Sequence, residues 1–152
     1  MSTRELIAQN IIEVLSDMEP PRPVLITREP FDIDKLAITQ FPAVVVESGN
    51  EVREDIAMKG YRRGIIDFQI RGFVRSDSRN THIISVDAKR NALIERLEEE
   101  LNDDRMRGVD SAGEGFSVTT RVREITIQPR IPPLGEFLMT VEVRYNMRKG
   151  SV

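Results

Sequence analysis

The sequence predicts an α+β fold: a mostly antiparallel sheet with two helices packed on one face, in the order α-β-β-β-α-β-β, with long projecting hairpins. Three observations predict it. Two stretches, 2–18 and 82–102, place apolar residues at helical spacing. Long stretches at 63–75, 116–128 and 136–147 alternate or favour β-branched residues. The strands group in hairpins around only two helices, the last two strands joined by a stiff loop, which implies α+β.

The elements follow in order. Ser2 and Glu5 have capping-box spacing, so the first helix starts there. Ile7, Ile11, Val14, Leu15 and Met18 form its apolar stripe, and Pro20, Pro21 and Pro23 end it. Val24 to Thr27 is a short strand, and 29–40 is mixed. Ala43 to Glu47 is β-branched and reads as a buried strand, which Ser48-Gly49-Asn50 breaks. In 63–75, Ile66, Phe68, Ile70 and Val74 face one way, and Asp67, Gln69, Arg71 and Arg75 the other, leaving one face solvated. Ser76 to Thr81 is a polar turn.

The second helix buries Val86, Leu93, Leu97 and Leu101, helped by Ala92 and Ile94. In the last strand Met139, Val141, Val143, Tyr145 and Met147 alternate with Thr140, Glu142, Arg144 and Asn146. Pro129-Arg130-Ile131-Pro132-Pro133-Leu134-Gly135 is a stiff loop before it.

The chain has 152 residues, one domain over 1–152, enough to bury roughly 70% of the unfolded surface. Apolar residues are 39% and charged residues 31%, with no Trp, so the core is built from Ile, Val and Leu. A net charge of −3 argues against general nucleic-acid binding. There is no cysteine, hence no disulfide or thiolate metal site. No signal peptide is expected behind Met1-Ser2-Thr3-Arg4-Glu5, and no apolar run approaches the ~18 residues of a membrane span.

Strand length carries information. Thirteen residues at ~3.3 Å each span about 43 Å. A domain of this size has a diameter of about 38 Å. Such strands fill or overrun the subunit; either their ends are loops, or projecting hairpin ends expose backbone that needs a partner. At least one hairpin, or the 48–61 loop, is therefore expected to reach a neighbour. The interface candidates are Glu51, Arg53, Glu54, Met58, Tyr61, Arg62, Arg63, Arg71 and Arg75, with Ile131, Pro132, Pro133 and Leu134 of the loop.

Signals for chemistry are weak. His82, the only histidine, lies near Ser85 and Asp87, but at a helix start these more often cap. Glu98-Glu99-Glu100 with Asp103-Asp104 lacks the ligand spacing of a cation loop, and a solvated helix face is the better reading. Gly108, Gly113 and Gly115 precede a strand, not a helix, so they do not form a phosphate cradle. Arg62, Arg63, Arg71, Arg75 and Arg79 lie along or beside one strand, the odd-numbered ones on its polar face. That stripe suits a plain solvated face first, then acidic groups of another subunit, and nucleic acid last. No catalytic, cofactor or metal residue is assigned, and no enzyme activity is expected.

Four segments, in order, resemble the tail-terminator (minor tail or tail-completion) family of long-tailed bacteriophages. They are Phe41 to Glu51 (FPAVVVESGNE), Ile66 to Val74 (IDFQIRGFV), Ala88 to Glu98 (AKRNALIERLE) and Gly135 to Tyr145 (GEFLMTVEVRY). The resemblance implies a hexameric ring that ends the tail tube at its head-proximal end and docks it to the head connector. Implied partners are further copies of the chain, the tail tube protein and a connector or neck protein, with the sheath protein as a further candidate. DNA would pass through the lumen without sequence-specific contacts. The place implied is the tail or neck of a virion, assembled in the host cytoplasm, with no membrane. The competing expectations are a head–tail connector, neck or baseplate structural protein, and a small nucleic-acid-binding α+β module. A small enzyme using His82 ranks below both.

Overall fold

A computed structural model describes residues 2–55, 61–76, 85–103 and 117–148. Helix α1 spans Thr3–Asp17. The Ser2 hydroxyl accepts from the Glu5 N–H at 3.2 Å, half of the expected capping box. The other half is not made, because the Glu5 carboxylate pairs with Arg28 instead. Strand β1 (Leu25–Thr27) follows. The mixed segment after it resolves into two short 3₁₀ turns, Ile33–Lys35 and Ile38–Gln40.

Strand β2 runs Ala43–Asp55, and β3 runs Tyr61–Arg75. The expected break at Ser48-Gly49-Asn50 is instead a bulge between Ser48 and Glu51, after which pairing with β3 resumes and continues to Asp55 opposite Arg62. Much of the expected 48–61 loop is thus strand. Helix α2 spans Val86–Asp103. Ser85 caps it, its hydroxyl accepting from the Ala88 N–H at 3.1 Å. Strand β4 covers Ser117–Gln128, and β5 covers Leu134–Arg148, two residues earlier than expected.

The sheet order is β1-β2-β3-β5-β4. All neighbours are antiparallel except β1 and β2, which pair in parallel over Leu25–Thr27 and Ala43–Val45 only. The α+β expectation therefore holds, helices and order included.

Both helices pack on one face. Ile7, Ile11 and Leu15 of α1 and Leu93, Leu97 and Leu101 of α2 meet Val44, Val46, Ile66, Phe68, Ile70 and the alternate residues of β5. Arg96 of α2 reaches across to the Glu19 carbonyl just past α1, with bonds of 3.2 and 3.3 Å. It also pairs with Glu99 and Glu100 at 3.0 Å, and those bonds raise its pKa further.

The opposite face was expected to be solvated. At one end it is not. The 29–41 segment folds over it, so Ile33, Val45 and Phe73 form a second small core with Phe31, Phe41 and Leu134 against it. The Phe31 and Phe73 rings meet at 5.5 Å between centroids.

Candidate assembly surfaces

Beyond that small core, the outward face carries charge rather than bare solvated residues. Period-two alternation brings Asp67 of β3 directly opposite Glu142 of β5. Two carboxylates so placed repel unless cations cover them. Arginines cover them here. Arg144 Nε donates to Glu142 at 2.7 Å, Arg121 lies 3.7 Å from its other oxygen, and Arg123 lies 3.4 Å from Asp67. Nearer the small core, Glu136 accepts from Arg130 at 2.7 Å and has Arg71 at 3.8 Å. Glu136 and Glu142 are buried beneath these guanidiniums. Arg130 also sits 5.9 Å above the Phe73 ring.

The helix-side face has a polar feature of its own. Tyr145 Oη donates to Glu51 at 2.6 Å, and Arg53 Nε donates to the other Glu51 oxygen at 2.7 Å. The Tyr145 ring crosses over Gly64 to reach β2, where a Cβ would lie 2.3 Å from it. Only glycine leaves that path open. Burial, then the bond to Glu51 and its charge, push the Tyr145 hydroxyl up to about 12, with Arg53 acting the other way. The Arg53 pKa is raised by its bond to Glu51 and the attraction between them.

The expected interface residues are distributed as follows. The Glu51 side chain is only 7% exposed and is engaged inside the subunit. Arg53 and Glu54 are on β2, where Glu54 is exposed opposite Arg63. Arg62 pairs with Asp55 at 2.9 Å across the hairpin. Arg63, Arg71 and Arg75 alternate onto the outward face, as their odd numbers predicted. Arg75 lies at the end of β3, its carbonyl accepting from Lys89 at 3.2 Å.

Ile131 is 87% exposed, Pro132 is exposed, and Pro133 and Leu134 are partly buried. That loop is tied to the end of β3, the Ser76 N–H donating to the Pro133 carbonyl at 2.9 Å. An open cleft of about 680 Å³ lies between the loop and the start of α2. The Tyr61 backbone begins β3 opposite Arg148, while its side chain lies outside the description. Met58, His82, Arg79, Asp104 and the three glycines at 108, 113 and 115 also lie outside the described residues.

The structure thus gathers Glu51 and Arg53 into one cluster, and Arg71 into another, with the other described candidates spread over β2, β3 and the 129–135 loop. Sequence reading missed Tyr145 as the partner of Glu51, 94 residues away. It also missed Arg121, Arg123 and Arg130. A signal for the first existed in Gly64, a glycine inside a long strand, which marks a close approach.

Among the described residues no group of side chains could hold a metal ion, and no helix is long and apolar enough to cross a membrane. By sequence, neither a protein-family model nor a curated protein matches the chain. By structure, the chain is similar to one from the virion of a native gene transfer agent particle. The match has a TM-score of 0.61 and covers 95% of this chain and 98% of that one. At 12% identity the likeness is one of fold. It extends over essentially the whole length of both proteins.

Proposed function

We propose that this chain is a structural protein of a phage-like particle, and specifically a ring-forming tail terminator that stops tube growth and presents a docking surface to the head connector. The observation that carries the reading is the end-to-end fold likeness to a chain of a gene transfer agent virion. The tail-terminator part of the reading is supported by the order of the four sequence segments that resemble that family. Strand length supports assembly: β3 and β5 have 15 residues each, about 50 Å at ~3.3 Å per residue.

The outward arginines favour this reading over nucleic-acid binding. Phosphate-binding surfaces need cations available to release counterions. Here Arg121, Arg123, Arg130 and Arg144 are each already set against a carboxylate of the same subunit. A wall in which positive and negative groups alternate suits DNA that passes without stopping. The role involves no catalysis, and none is assigned.

Native mass measurement and negative-stain microscopy test the ring. A hexamer or similar closed ring is expected, formed alone at high concentration or upon addition of tube protein. The terminator role is tested by adding the chain in small amounts to polymerising tube protein, which should yield short, capped tubes. A protein that stays monomeric throughout and leaves tube length unchanged would sink the reading.

A further inference from the structure

The sheet has two long edges with no strand beside them among the described residues. One is β4, from Ser117 to Gln128, paired only with β5. The other is the part of β2 from Val46 to Asp55, because β1 covers only Ala43–Val45. Their lengths are similar. An exposed edge of this length is a template for another strand.

Direction selects the partner. β2, β3, β5 and β4 alternate up, down, up, down across the sheet, so β2 and β4 run in opposite senses. Rotation about an axis along the strands preserves strand direction. The β4 edge of one copy then meets the β2 edge of the next in antiparallel fashion, and the same contact repeats around a ring. An odd number of long strands would have forced a parallel seam.

Charge selects it again. The stretch of β2 beyond β1 carries Glu47 and Glu54 on its outward side, while Glu51 and Asp55 are set against Arg53 and Arg62 of the same subunit. β4 carries Arg121 and Arg123 against Glu124. Arg121 is 64% exposed and only loosely held by Glu142 at 3.7 Å, so on the outward side Glu47 and Glu54 of β2 against Arg121 favour β2 beside β4 over β4 beside β4. Bulges in both strands, at Ser48–Glu51 in β2 and at Ser117–Thr119 and Val122–Glu124 in β4, bend the edges and discourage pairing with arbitrary strands.

We infer that adjacent copies join edge to edge, β2 residues 46–55 of one pairing antiparallel with β4 of the next, so that the sheet continues through the subunit boundary. The inference rests on the ring reading and names its seam.

Engineered cysteines test it, since the chain has none of its own. Val52 is 60% exposed and shares the outward face with Thr119 through Ile65 and Arg144. Val52→Cys is combined in turn with Thr119→Cys, Arg121→Cys, Glu124→Cys, Thr126→Cys and Gln128→Cys, which sample the outward side of β4. A disulfide needs Cα atoms roughly 4.4–6.8 Å apart, so only a true cross-strand pair closes efficiently.

The expected result is a ladder of covalent multimers on non-reducing gels from one or two of the double variants. The single variants should give none. A ring by native mass with no ladder from any pair overturns the seam and leaves the ring reading standing. Covalent dimers from the β4 single variants, without a ladder, mean two-fold β4–β4 pairing and also overturn it. Absence of any ring, with or without tube protein, overturns seam and reading together.

Discussion

Two rows of residues cross the helix-side face of the sheet and are built alike. One runs Val44, Gly72, Phe137, Ile127, and the other runs Arg53, Gly64, Tyr145, Ser117. In each, a glycine of β3 lies under an aromatic ring of β5. A Cβ would fall 2.2 Å from Phe137 in the first and 2.3 Å from Tyr145 in the second. The flanks differ. Val44 and Ile127 stand in the phenylalanine's row, while Arg53 stands in the tyrosine's. An apolar row asks nothing of its ring but volume. A row that includes Arg53 and lies beside Glu51 gives a buried hydroxyl a partner, and tyrosine supplies it. The same steric device is thus locked by packing alone in one row and by packing plus a hydrogen bond in the other.

The sharpest test is to apply the same steric insult to both rows. Gly64→Ala forces the Tyr145 ring aside and breaks its bond to Glu51. Overpacking costs about 1–3 kcal/mol, and the lost bond adds about 1 kcal/mol. Gly72→Ala should cost only the first part. Urea unfolding of both variants gives the two values. Gly64→Ala is expected to be the more destabilising by about 1 kcal/mol. Equal losses would mean the bond to Glu51 contributes nothing net, and the comparison would reduce to packing.

Next in size is Tyr145→Phe, which turns the second row into a copy of the first. The ring stays over Gly64 and the hydroxyl is lost. A loss of about 1–2 kcal/mol is expected, since Glu51 keeps Arg53 as partner. The effect should all but vanish in a Gly64→Ala background, where the bond is already broken. Full additivity in that double-mutant cycle would contradict the proposed path of the ring.

A pH titration separates the rows without a steric change. The folded-state pKa of Tyr145 is raised from 10.0 to about 12. Its contribution is therefore complete below about pH 10, where folded and unfolded chains both hold the proton. It is lost as pH rises through about 12, because the unfolded chain ionises first. The unfolding free energy of the natural protein should fall by about 2 kcal/mol more than that of Tyr145→Phe between those limits. Parallel pH profiles for the two proteins would show a hydroxyl that is not desolvated.

How much of this was legible beforehand depends on how far each feature reaches along the chain. The alternation in β3 and β5 was clear, because every second residue reports the same face. Ser2, and Ser85 as a helix-start cap, were legible for the same local reason. The second half of β2 was not. Ser48-Gly49-Asn50 has the composition of a turn, and a bulge uses the same residues. Glu51 to Asp55 then lacks apolar alternation, in a stretch where β3 is the strand beside it among the described residues. The 29–41 cap was unreadable since two three-residue turns leave no periodicity. The Tyr145–Glu51 bond joins positions that only the sheet register brings together.

Turning the same strands over gives the smallest expected effect and the limit of the comparison. On the outward face Glu142 sits between Asp67 and Arg121 in a row that is charged throughout. Glu142→Gln removes one of two opposed carboxylates, which relieves repulsion with Asp67. It also weakens the pairs with Arg144 and Arg121, the latter side chain being 64% exposed and the contact long at 3.7 Å. These changes oppose each other, and pairs near solvent are individually worth about 0–1 kcal/mol. The net change should stay below about 1 kcal/mol and shrink further in high salt. Thermal unfolding at low and high ionic strength measures it. A loss as large as that of Gly64→Ala would mean the outward charges hold the sheet as firmly as the aromatic rows do. A small, screened change would mean that the outward charges contribute little to holding the sheet together.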